Sequence, residues 1–89
     1  MERGSRINQF GRSSLVNPDY IYRRLEIGEV GSLTYQGQTE DVDRWERFAR
    51  KVRRVDEMEA EGLVQITFRH RERQSGFNHV DVVRFKRLR

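Results

Sequence analysis

The stretch from residue 39 to residue 62 constrains this chain most. Val42, Trp45, Phe48, Ala49, Val52 and Val55 recur at steps of three and four, which lines one apolar stripe along a helix. The spacing predicts one continuous helix from about Thr39 to Glu61, with Trp45, Phe48, Val52 and Val55 facing a core. Thr39 is the expected cap, and Glu40, Asp41 and Asp43 load the positive first turn with negative charge. Glu40–Arg44, Asp43–Arg47 and Glu46–Arg50 are acid-before-base pairs at four-residue spacing, the favourable order. Gly62 is the expected stop. Asp56, Glu57, Glu59 and Glu61 crowd the negative end of the same helix. A break near Val55, or a partner that supplies positive charge, would relieve that conflict.

The elements around this helix follow from local punctuation. Asn17 can cap, Pro18 falls at the first helical position, and Asp19 suits the positive end. Val16 and Ile21 are spaced as a hydrophobic staple, and Gly28 fits the left-handed position after the last turn. A helix over 17–28 is therefore preferred to a strand through Tyr20 and Tyr22. Val30 to Gln38 reads as a short strand between glycine-marked turns. Residues 63–89 read as a hairpin in which Val64, Ile66 and Phe68 alternate with polar neighbours and Ser75-Gly76 marks the turn. A two-residue turn there pairs Phe68 with Val83, Ile66 with Phe85 and His70 with Asp81. Residues 1–16 hold scattered Ile7, Phe10, Leu15 and Val16 among Gly, Ser, Arg and Asn. They read as a flexible arm, either a plain tail or a contact through Arg3, Arg6 and Arg12. The predicted architecture is α+β, with one domain over 17–89: helix, short strand, long helix, C-terminal β-hairpin.

Composition narrows the function. The chain has 89 residues, 35% hydrophobic and 36% charged, so one domain with a modest core is expected. Pairing with a second copy would add burial. There are no cysteines, which excludes disulfides and thiolate zinc sites. No apolar run approaches the roughly 20 residues that span a membrane. The N-terminus lacks an apolar signal core, so a cytoplasmic protein is expected. No phosphate-cradling glycine loop or metal-ligand spacing is present. His70 and His79 are the only histidines. His70 facing Asp81 reads as a cross-strand ion pair at the core margin rather than a catalytic base. The expectation is a non-enzymatic protein with no cofactor, no metal and no small-molecule substrate.

Charge is unevenly placed. Residues 39–62 carry six basic and eight acidic side chains, a net of −2, whereas residues 63–89 carry seven basic and two acidic, a net of +5. The whole chain is only +4. Polyanions respond to such local potential more than to net charge. On a helical wheel Arg44, Arg47, Lys51 and Arg54 cluster away from the apolar stripe. Arg69, Arg71 and Arg73 alternate along the first hairpin strand, and Arg84 and Lys86 are expected on the same side of the second. Glu72 and Asp81 are expected on the other side.

The run Met58-Glu59-Ala60-Glu61-Gly62-Leu63-Val64, followed by a basic hairpin, resembles the end of a winged-helix DNA-binding domain. That family's recognition helix ends in a Leu-Glu-x-x-Gly-Leu-Val type of junction, and two strands then form the wing. The family has two helices before the junction, whereas residues 39–62 read as one. The resemblance implies that Arg44, Arg47, Lys51 and Arg54 meet a major groove or its phosphates. It also implies that Arg69, Arg71 and Arg73 meet the adjacent backbone. A small DNA-binding protein on duplex DNA, a regulator of transcription or an accessory factor, is the leading expectation. A protein-interaction or oligomerisation module with cations serving only solubility is the alternative, and RNA stays open as a partner.

Overall fold

The computed structural model describes residues 17–89. The arm at 1–16, with Arg3, Arg6, Arg12 and the Val16 half of the staple, lies outside the described residues. The described chain is an α+β domain of two helices and a three-stranded antiparallel sheet.

Helix α1, Pro18–Arg24, begins as its punctuation requires: the Asn17 side chain accepts the Tyr20 backbone N–H at 2.8 Å, and Pro18 takes the first turn. It ends four residues before Gly28, which corrects the expected stop. Leu25 closes the helix in an extended conformation. The Arg87 guanidinium donates to the Tyr22 and Leu25 carbonyls, satisfying the helix end from the far strand. Strand β1, Val30–Thr34, follows. Gly31 permits the close approach of α1, since a Cβ there would stand 2.6 Å from Ile21 Cγ2.

Helix α2, Val42–Ala60, is one unbroken helix. Its cap is Asp41, whose carboxylate accepts the Arg44 N–H at 3.1 Å, not Thr39. The Thr39 carbonyl instead accepts from Trp45 Nε1 at 2.9 Å. Trp45, Phe48, Val52 and Val55 are buried as the spacing predicts, and Met58 continues the stripe one step further. Val42, expected on the apolar stripe, is instead 67% exposed at the first position of the helix. Gly62 ends the helix in a left-handed conformation, with Leu63 N–H on Met58 O and Gly62 N–H on Glu59 O. The crowded acids find partners without a break. Asp56 pairs with Arg69, Glu57 and Glu61 with Arg54, and Glu59 accepts the Ile66 N–H.

Strands β2, Val64–Arg71, and β3, Val80–Arg87, form the hairpin, and the sheet order is β1-β3-β2. Ile66 lies opposite Phe85 as expected. Beyond it the expected register fails. A bulge at Thr67 sets Phe68 opposite Arg84 and Arg69 opposite Val83, and a second irregularity at Asp81 sets Arg71 opposite Val80. Val83 is fully buried against α2, so Arg69 turns to the helix side and Phe68 to the open side. The expected two-residue turn is replaced by an eight-residue loop over 72–79, closed by Glu72 N–H on His79 O at 2.8 Å.

The core lies between α2 and one face of the sheet. Leu33, Phe48, Val52, Val55, Met58, Val64, Val83 and Phe85 form it, with Ile21 and Leu25 of the α1 segment against its margin. No helix among the described residues is long and apolar enough to cross a membrane.

Candidate nucleic-acid interface

The bulge at Thr67 divides the cations expected on one side of the hairpin. Arg69 and Arg71 face α2, whereas Arg84 and Lys86 register with Phe68 and Gln65 on the open face. Arg69 reaches Asp56 of α2 at 2.7 Å. Arg71 donates to the Asn78 carbonyl at 3.0 Å. Arg84 lies over the Phe68 ring, 5.0 Å from its centroid. Arg73 and Lys86 have no ion pair among the described residues. The Asp81 carboxylate accepts from His70 Nδ1 at 2.7 Å, giving the anticipated cross-strand contact, although the register sets Val82 and not Asp81 opposite His70.

The helix cations divide too. Arg54 holds α1 to α2. Its guanidinium contacts both Asp19 oxygens at 2.9–3.3 Å and reaches Glu57 and Glu61. The Asp19 hydrogen bond raises the Arg54 pKa, and the same bond lowers that of Asp19. Arg44 is engaged with Asp41 at 3.2 Å and with the Gln36 carbonyl, which fixes the entry into α2. Lys51 is half-buried, and desolvation, with the Arg47 charge second, depresses its ammonium pKa. Arg47 is exposed and has no ion pair among the described residues. The same helix exposes Asp43, Glu46 and Glu57, so its solvent side is mixed in sign.

Arg71 and Arg73, without an acid partner among the described residues, meet at the hairpin tip. A recess of about 490 Å³ is lined by Arg69, His70, Arg71, Arg73 and Asn78, with no carboxylate in its walls. Beside it, toward α2, a cleft of about 310 Å³ brings Arg53, Arg69 and Arg71 together with Phe77, Asn78 and His79. A third cleft of about 570 Å³ lies past Phe77 and is bordered by Val42, Ala49, Glu40 and Glu46.

The loop that carries this tip is built around Glu72. The residue is 8% exposed, and its carboxylate accepts from the Ser75 hydroxyl, the Ser75 N–H and the His79 N–H. These donors, the Ser75 hydroxyl foremost, hold its pKa at about 2 against the opposing effect of burial. Gly76 and Asn78 supply the positive φ that the loop needs. From this loop a row of rings runs back into the domain. Phe77 tilts against His79 at 5.7 Å, His79 stacks on Trp45 at 4.3 Å, and Trp45 stacks on Tyr35 at 3.6 Å.

Four of these residues escaped the sequence reading: Arg53, Phe77, Asn78 and His79. The available signal was an aromatic residue set among cations beside the Ser75-Gly76 turn. Among the described residues no cluster of three His, Cys, Asp or Glu side chains could hold a metal ion. No family model, curated protein or solved structure matches the chain.

Proposed function

We propose that this domain is a small nucleic-acid-binding module that meets the phosphate backbone of DNA with the tip of its hairpin. One observation carries the reading: Arg71 and Arg73, neither with an acid partner among the described residues, border a recess whose walls hold no carboxylate, beside Arg69, which keeps its pair with Asp56. Phosphate oxygens are the natural occupants of such a site, because guanidinium groups pair with them in bidentate fashion. Arg47 and Lys51 on α2 are secondary contacts. Arg44 and Arg54 serve the fold, since their partners lie within the domain.

The order helix, strand, helix, hairpin of the described residues is compatible with a wing-like use of the hairpin. The described residues hold one helix fewer than the winged-helix family before the junction, so the contact proposed here rests on the hairpin and not on a recognition helix. Contacts of this kind position a protein on DNA and carry little sequence information. A regulator or accessory factor fits that mode.

The test is binding of labelled random-sequence duplex DNA by anisotropy across a salt series. Affinity should fall steeply with log salt. The double variant Arg71→Ala with Arg73→Ala should lower the log–log slope by about two units, at roughly 0.9 per duplex phosphate contact. A salt-independent affinity, or an unchanged slope in the double variant, would defeat the reading. A second reading, docking of a protein segment, rests on the cleft bordered by Val42, Ala49 and Phe77. It would show as binding that barely responds to salt.

A further inference from the structure

We infer that the hairpin tip takes an unpaired nucleic-acid strand in preference to a duplex, with a nucleobase stacked on Phe77. The inference rests on the nucleic-acid reading above and names the form of ligand that the same site prefers.

Phe77 is 78% exposed, the most exposed large apolar side chain among the described residues. It is also held in place. Its N–H donates to Ser75 Oγ at 3.1 Å, Glu72 fixes Ser75 and His79 on either side of it, and Arg71 holds the Asn78 carbonyl. Behind it His79, Trp45 and Tyr35 form a stacked row, with the Trp45 indole anchored on the Thr39 carbonyl. A ring carried on a backbone held in this way leaves less of the loop to order when a second flat group lands on it.

Charge identifies that group. Phe77 borders the same cleft as Arg53 and Arg71, and the acid-free recess of Arg69, Arg71 and Arg73 adjoins it. The ligand must therefore offer a π-face and a nearby anion together. A nucleotide offers both. In a duplex the base faces are covered by their neighbours, whereas an unpaired strand can present a base to the ring and its phosphates to the arginines. Every base has a π-face, so the preference should be tolerant of sequence. Glu40 and Glu46 lie in the cleft on the far side of Phe77, which directs the phosphates to the arginine side.

The experiment compares an oligothymidine of about 12 nucleotides with a duplex of equal charge, by anisotropy over a salt series. Wild type should bind the single strand more tightly. Phe77→Ala should weaken single-strand binding by on the order of ten- to a hundredfold, leave its salt slope unchanged and leave duplex binding alone. Phe77→Trp should retain the affinity. Circular dichroism and Trp45 fluorescence check that the variants fold. Equal affinity of wild type for both forms, with Phe77→Ala neutral toward both, overturns the inference. If Arg71→Ala with Arg73→Ala still weakens both forms in that case, the phosphate-binding reading survives alone. If wild type binds neither form at low salt, both readings fall.

Discussion

Glu72→Gln keeps the size of the side chain and removes its charge. In the native loop that charge is shared among three donors: the Ser75 hydroxyl, the Ser75 N–H and the His79 N–H. Their combined effect moves the carboxyl from 4.5 to about 2, so its titration should sit well below that of an ordinary glutamate. The sign follows from linkage. A carboxyl whose pKa is depressed on folding stabilises the folded state above its unfolded pKa. That contribution declines as pH falls from about 4.5 and is gone below about 2. Carbon-detected NMR of the carboxyl groups reads the midpoint directly. Amide hydrogen exchange at Ser75 and His79 reads the loop, and both amides should exchange faster in Glu72→Gln at neutral pH. The part of the acid response owed to this loop should vanish in the variant. A Glu72 midpoint near 4.5, or unchanged exchange at Ser75 and His79, would refute the account of how the tip is held.

Two further perturbations separate residues of the fold from residues of the site. Phe85→Ala removes a fully buried ring from the centre of the sheet and should cost about 3–5 kcal/mol in urea unfolding. Arg54→Ala should cost no more than about 1 kcal/mol, because its pair with Asp19 is partly exposed. It should loosen α1, seen as faster amide exchange at Tyr20 and Ile21, and leave the salt slope of DNA binding unchanged.

The elements set by short-range chemistry were legible in the sequence. Asn17-Pro18 starts a helix whatever lies elsewhere, and the three-and-four spacing from Trp45 to Val55 admits one buried face. The Ile66–Phe85 pairing was legible too. The register beyond Ile66 was not. Strict alternation pairs Phe68 with Val83, and nothing local to β2 argues against it. The observed arrangement depends on residues distant in sequence. Turning Arg69 toward α2 brings it to Asp56, thirteen positions away, and turning Phe68 outward brings it under Arg84. The turn misled for a related reason. Ser75-Gly76 is a good two-residue signal, but Glu72 captures Ser75 and His79 together and enlarges the loop around its carboxylate.

The same contest for partners decides which cations remain for a ligand. A sequence gives the count of charges but not their pairings. The acids at the end of α2 were a puzzle as an isolated helix, since they oppose its dipole. In the fold they engage Arg54 and Arg69, two of the cations that the winged-helix resemblance implied for DNA. Asp19 engages Arg54 as well, and Asp41 engages Arg44. The +5 of residues 63–89 is thus reduced mainly along the helix side of β2 and survives at the loop, where Glu72 is turned inward onto its own donors. Arg71 and Arg73 stay without an acid partner in a recess that holds no carboxylate, and Arg53, which also lacks one among the described residues, shares the neighbouring cleft with Arg71. The location of the proposed contact follows from this subtraction: at the hairpin tip, arginines without an acid partner adjoin an exposed ring whose loop is held in place.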